Sequence, residues 1–318
     1  MLAGVVYALV AGLMWGLVFV SPLLLPEYPP AVQSVARYLA FGLIALPLAW
    51  MDRIELRALT RADWWAALKL AAIGNLLYYF CLATAIQRAG GPLPTMIIGT
   101  LPVVIAISAN LRDARRDGRL PWLKLAPALV LLAAGIACVN HVELALLSAS
   151  AEVDRLRYAS GVIFALAALA CWTWYPLHNA DWLRAHPARQ PRVWATAQGV
   201  ATLPLAVAGY IVFCVLSAAS AGQNDFPLPF GPRPGFFVAL MFAVGLFASW
   251  LGTLCWNEAS QRLPTAIAGQ LIIFETLAAL IYVYLLRGEM PELLTLSGAG
   301  LLVAGVLLAL RIKAKILV

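Results

Sequence analysis

The sequence predicts an all-α polytopic membrane protein: ten transmembrane helices arranged as two five-helix repeats that enter the lipid from opposite faces. Three observations predict it. They are long apolar runs, an uneven spread of basic residues over alternate loops, and an echo of the first half in the second. Of the 318 residues, 63% are hydrophobic and 12% charged, about half the charge of an average soluble domain. Charge all but vanishes from runs such as Val5–Leu25, Trp64–Ile86 and Leu263–Leu286, each long enough to cross ~30 Å of hydrocarbon as a helix. Lipid offers backbone groups no water, so such runs must be helical.

Helices are read at 2–24, 31–51, 64–86, 92–111, 122–140, 159–178, 192–216, 235–256, 264–286 and 292–311, separated by turn and charge clusters. Loops assigned alternately to two sides divide the basic residues unequally. The side of the N-terminus collects Arg53, Arg57, Arg61, Lys69, Arg112, Arg115, Arg116, Arg119, Lys124, Arg184, Arg189, Arg192, Arg262, Arg311, Lys313 and Lys315. The other side holds Arg88, Arg155, Arg157, Arg233 and Arg287. Basic loops stay inside, so both termini are expected in the cytoplasm of a bacterial inner membrane. Trp50, Trp64, Trp65 and Trp122 sit at span ends, as an aromatic belt requires.

At an offset of 157, Trp15 falls on Trp172 and Leu46-Pro47-Leu48-Ala49 on Leu203-Pro204-Leu205-Ala206. At 174, Cys81 falls on Cys255 and Gln87-Arg88 on Gln261-Arg262. At 170, Pro121 falls on Pro291, and the run ending in Gly135 on the run ending in Gly305. The longer loop Ser217–Pro234 absorbs the change of offset. Residues 1–141 form the first repeat, 142–158 a linker on the side away from the termini, and 159–318 the second repeat. Five is odd, so the second repeat is threaded in the opposite sense, the arrangement that gives alternating access around a midplane site.

The net charge of +7 is read as topology signal, with no arginine-aromatic tract for a nucleic acid. The five cysteines lie in apolar spans without paired spacing, and His141 with Glu143 makes no metal cluster. No metal and no cofactor is expected. No nucleotide-binding motif is present, so a proton gradient or the solute's own gradient must drive movement. An intramembrane enzyme would need a nucleophile–base pair or paired acids at one depth, which no spacing supplies. The first apolar run is read as a retained span.

Glu275 lies mid-span, where a carboxylate costs ~2.5–3.5 kcal/mol on insertion scales. It either couples protons and binds a substrate amine or locks helices together. Arg37 lies two turns into its span and has three readings: binding a substrate carboxylate, snorkelling, or pairing with Glu275. Trp15, Asn75, Tyr78, Tyr79, Trp172, Tyr175, Gln198, Trp256 and Gln270 offer the apolar faces and polar handles that suit an amphipathic organic solute, although aromatics also pack membrane cores. His178 is a second proton-coupling candidate. Pro47, Pro102, Pro176 and Pro204 free backbone carbonyls and mark either gates or fixed kinks. Gly298, Gly300, Ala304 and Gly305 form a small-residue face that packs internally or in a weak homodimer. The partners expected are therefore the bilayer, a small-molecule substrate and protons, in a monomer or weak dimer.

Trp15-Gly16 in the first helix, Gln87-Arg88 closing the third, Pro102 in the fourth, and Phe274-Glu275-Thr276 through Leu286-Arg287-Gly288-Glu289 resemble EamA-type permeases of the drug/metabolite transporter superfamily. The resemblance covers essentially the whole chain. It implies an inner-membrane carrier, commonly an exporter of amino acids, metabolites or drugs. Two positions depart from the pattern: Thr276 stands where the family often has proline, and Arg112-Asp113 replaces an acidic helix end. The reading is a secondary-active exporter of an amino acid or small amphipathic metabolite. Its alternatives are a channel-like facilitator, a multidrug or toxic-compound exporter and, last, an intramembrane enzyme.

Overall fold

A computed structural model describes residues 2–112, 121–149, 155–219, 226–288 and 290–312. Arg115, Arg116, Arg119, Lys313 and Lys315 lie outside them. Regular structure among the described residues is entirely helical. The main rods are α1 (Leu2–Leu24), α2 (Pro30–Met51), α3 (Arg61–Ala89), α4 (Leu101–Arg112), α5 (Trp122–Ala149), α6 (Arg155–Ala185), α7 (Pro191–Ala219), α8 (Pro234–Arg262), α9 (Ile273–Arg287) and α10 (Leu293–Leu310). Seven helices, one of them Ile267–Leu286, which includes most of α9, are long and apolar enough to cross a membrane. Leu101–Arg112, Trp122–Cys138 and Leu293–Ala309 are shorter apolar helices.

Three expectations change. First, the stretch read as a linker is largely helical, since α5 continues to Ala149 and α6 starts at Arg155. Val142-Glu143-Leu144-Ala145-Leu146-Leu147 contains no glycine or proline and several strong helix formers. Second, the helix read at 92–111 is broken at Gly99-Thr100, with a short helix Pro92–Ile98 before α4. Pro102 therefore sits in the first turn of α4, where its missing N–H costs nothing, and not in the middle of a helix. Third, the helix read at 264–286 is divided at Ile272 into Thr265–Leu271 and α9. Pro47, Pro176 and Pro204 do lie inside continuous helices.

Two π-helical stretches interrupt otherwise regular rods: Leu70–Leu77 in α3 and Gly245–Leu251 in α8. Such wide turns leave local hydrogen bonding irregular and recur at functional sites.

The main packing partners are α1 with α8, α3 with α6, α2 with α7, α5 with α10, and α4 with Thr265–Leu271. Glycines set the closest approaches. A Cβ on Gly135 would lie 2.7 Å from the Gly298 carbonyl oxygen and 2.8 Å from Leu302 Cγ. A Cβ on Gly305 would lie 3.0 Å from the Ala128 carbonyl oxygen and 2.9 Å from Leu132 Cγ. Gly4 abuts Arg262 and Gly161 abuts Arg88, while Gly42 meets Leu203 and Gly199 meets Ala45. Gly135→Ala and Gly305→Ala are each expected to destabilise the protein by about 1–3 kcal/mol, because the obstructing atom is backbone and cannot turn aside. Denaturation midpoints in detergent check this: unchanged midpoints for both would contradict the packing.

Both ends are tied by polar contacts. At the end where α1 begins, Thr60 and Asp63 form a reciprocal cap on α3. Trp182 Nε1 donates to Asp63 Oδ1 at 2.8 Å, Trp182 stacks on Trp194 at 3.4 Å, and Arg192 pairs with Asp52. At the other end the Arg233 backbone N–H donates to Tyr28 Oη at 2.8 Å, and Tyr28 donates to the Phe230 carbonyl at 3.0 Å. Gln87 donates to the Tyr28 carbonyl at 2.7 Å there, and Gln261 donates to the Arg189 carbonyl at 3.0 Å at the first end.

Candidate functional site

The break at Ile272 builds the site. It starts α9 in mid-bundle and places Glu275 in the first turn, where the N–H dipoles of a helix start favour negative charge. Glu275 is fully buried. Trp172 Nε1 donates to its Oε2 at 3.0 Å and Tyr78 Oη to its Oε1 at 3.4 Å. Gly12 and Gly16 let α1 reach this turn, since a Cβ on Gly12 would lie 3.0 Å from the Glu275 nitrogen.

Arg37 arrives from α2 and is 3% exposed. Its Nε donates to Ser249 Oγ at 3.0 Å, and its guanidinium carbon lies 4.4 Å from the Tyr79 ring centre and 4.8 Å from that of Tyr38. The rings supply cation–π attraction, but Nη1 is buried with no hydrogen-bond partner. A buried donor left unmade costs free energy, so Nη1 favours an acceptor placed beside it in the cavity.

Arg37 and Glu275 line one internal cavity together with Trp15, Val18, Tyr38, Asn75, Tyr78, Trp172, Ala248, Ser249, Thr253. No ion pair joins the two charges, so the expectation that Arg37 pairs with Glu275 is not met. The cavity is about 10 Å³, which is about the minimum for one water. This conformation is closed to any organic solute. A wider recess of about 630 Å³ opens elsewhere, over the Phe80, Thr84 and Gln87 flank of α3 and the start of α6. It includes neither Arg37 nor Glu275, so its size does not make it the site.

The aromatic candidates form one stack. Trp172 lies between Tyr78 at 4.6 Å and Tyr175 at 5.1 Å, with interplanar angles of 14° and 13°. Trp15 meets Trp172 edge-on at 4.8 Å and Trp256 at 5.2 Å. Asn75, on the π-helical stretch of α3, donates to Thr202 Oγ1 at 3.4 Å. Tyr175 and Gln198 stand one shell behind the cavity, joined by a 2.8 Å hydrogen bond. Gln270 is fully buried with both amide ends unpartnered, and does not line the cavity. His178 is exposed, stacked on Trp174 and bonded to its carbonyl, which separates it from Glu275's contacts.

Sequence reasoning missed Tyr38, Ser249 and Thr253. The last two stand four apart on α8, a polar pair on one helical face in an apolar span, which is the signal that reveals them. Val18 and Ala248 carry no such signal.

A helical bundle whose rods are long and apolar enough to cross a membrane, with Arg37 and Glu275 buried in one central cavity, defines a polytopic membrane protein. Residues 2–140 match the model of the EamA-like transporter family. The chain is 57% identical over 313 residues to "Inner membrane protein YtfF" of Escherichia coli (strain K12), across 98% of this chain and 96% of that one. A solved crystal structure is similar with a TM-score of 0.66 over 96% of both chains at 17% identity, a likeness of fold alone. The chain belongs to the EamA-like transporter family, within the drug/metabolite transporter superfamily.

Proposed function

We propose that the protein is a ten-helix secondary carrier of two inverted five-helix repeats, exporting an amino acid or similar small amphipathic zwitterion by alternating access. Its setting is a bacterial inner membrane, with both termini in the cytoplasm. One observation carries the substrate reading: Arg37 from the first half and Glu275 from the second share a closed aromatic cavity without pairing. A carboxylate satisfies the free guanidinium donor bidentately, an ammonium group faces Glu275, and Trp15, Tyr78 and Trp172 hold the apolar part.

The reciprocal contacts support the inverted repeat. Gly135 with Leu302 and Gly305 with Leu132 exchange roles at the offset of 170. Arg262 lies 5.2 Å from the Tyr7 ring and Arg88 5.5 Å from Phe164, pairs that interchange at 174 and 157. The π-helical stretches also fall at corresponding places. Contacts that interchange in this way are what a twofold axis in the membrane plane would generate.

Thermal denaturation of the purified protein tests the substrate reading. A free amino acid at about 100 times its Kd should stabilise the fold by ~2.7 kcal/mol. The matching methyl ester and N-acetyl derivative should each lose that effect. Equal stabilisation by all three, or none by any of the twenty common amino acids, would overturn it.

A further inference from the structure

The central carboxylate is connected to one end of the molecule by an unbroken chain of buried contacts. Trp172, which donates to Glu275, stacks on Tyr175. Tyr175 donates to Gln198 Oε1 at 2.8 Å, and Gln198 Nε2 donates to Asn179 Oδ1 at 3.1 Å. Asn179 Nδ2 donates to Asn257 Oδ1 at 2.9 Å, and Asn257 Nδ2 donates to the carbonyl of Pro191, the first residue of α7, at 3.2 Å. Trp194 Nε1 adds a second donor to Asn179 Oδ1 at 2.9 Å. Tyr175 is 1% exposed; Gln198, Asn179, Trp194 and Asn257 are 0%.

Each amide in this chain uses its oxygen toward one neighbour and its nitrogen toward the next. Turning any one of them breaks a bond on both sides and leaves buried polar atoms bare, which is costly. The chain therefore holds or releases as a unit, the two-state behaviour that transmission between sites requires. It ties α6, α7 and α8 together at the end where α1 begins.

The positions corresponding to Tyr175, Asn179, Trp194, Gln198 and Asn257 in the first half are Val18, Pro22, Arg37, Phe41 and Ala83. No amide chain is possible there. The two ends are closed by different chemistry: a chain of side-chain amides at the end of the termini, and bonds from Gln87, Tyr28 and Arg233 to single acceptors at the other.

We infer that Tyr175, Gln198, Asn179 and Asn257 form a relay through which the state of Glu275 sets the closure of the bundle at the end holding the termini. This rests on the carrier reading for its purpose, and its test takes from that reading the cytoplasmic placement of the termini but not the nature of the solute. Tyr175, Gln198 and Asn179 act here as positioning residues, reaching the solute only through Trp172.

Ser260 is 3% exposed, lies on α8 toward that end, and its hydroxyl has no partner, so Ser260→Cys in a background with the five native cysteines replaced gives a reporter. Its modification rate by a membrane-impermeant thiol reagent is measured in inverted membrane vesicles for four proteins: the Ser260→Cys parent, Glu275→Gln, Tyr175→Phe and the double variant. Glu275→Gln is expected to change the rate at least several-fold. Tyr175→Phe keeps the stack but removes the hydroxyl, so adding Glu275→Gln to it should leave the rate within about twofold. Gln198→Met breaks the next link and should give the same uncoupling. A Glu275→Gln effect that persists in both backgrounds overturns the relay, as does a Glu275→Gln variant whose rate equals the parent's. No solute is added, so failure of the relay is separable from failure of the zwitterion reading, which the derivative series decides.

Discussion

Glu275→Gln is expected to slow solute counterflow in liposomes about 100-fold, equivalent to ~2.7 kcal/mol, while the protein remains folded and monodisperse. The amide has the carboxylate's shape, and its oxygen still accepts from Trp172 Nε1, now 3.0 Å from Oε2. What disappears is the negative charge opposite the unpaired Nη1 of Arg37 and the group able to take up and release a proton. Glu275→Asp keeps the charge but draws it back by one methylene, so it should fall between parent and Gln. Counterflow by Glu275→Gln within twofold of the parent would leave the carboxylate as a helix lock only.

Gly74→Ala carries the second large effect. Gly74 lies on the π-helical stretch of α3, and a Cβ there would stand 2.2 Å from Tyr175 Cδ2 and 2.7 Å from its Cγ. No real contact is that short, so Tyr175 must move. It is held by the Trp172 stack and the Gln198 bond, and so cannot rotate without disturbing both. Overpacking of this kind costs about 1–3 kcal/mol or more, and here the damage falls beside Glu275. The expected result is a lower denaturation midpoint together with loss of counterflow. A variant with parental stability and transport would show that Tyr175 has room the present geometry denies it.

Much of this architecture is legible in the sequence because lipid makes the rules strict. A span must be apolar and helical, so Pro30–Met51 can be located to within a residue and Pro191–Ala219 to within about three. Glu275 and Arg37 stand out for the same reason: charge at that depth has few bland explanations. The break at Ile272 was not legible, although it is what gives Glu275 its place. Its sequence, Leu271-Ile272-Ile273, has no glycine or proline to announce it, and the close contacts just after it, Gly12 and Gly16 of α1 against residues 274–279, come from a distant part of the chain. The π-helical stretches are equally silent, because a one-residue widening leaves composition untouched. The extension of α5 to Ala149 was obscured by the charge of Glu143, read as a loop marker although helices tolerate glutamate well. The tyrosine stack and the amide chain joined residues that sequence could name singly. Sequence could not join them, since partners such as Asn179 and Asn257 lie on different helices 78 residues apart, and Tyr78 and Trp172 are farther apart still.

The central claim is that one cavity between two oppositely threaded halves is reached from each side in turn. Thr253 lines that cavity beside Arg37 and Glu275, so Thr253→Cys, in the cysteine-replaced background, offers the most direct measurement. Its labelling by an impermeant thiol reagent is followed separately in right-side-out and inverted vesicles, with and without the amino acid found to stabilise the protein. Labelling is expected from both sides, with the added solute shifting the two rates in opposite directions. Labelling from one side only, under every condition, would contradict it.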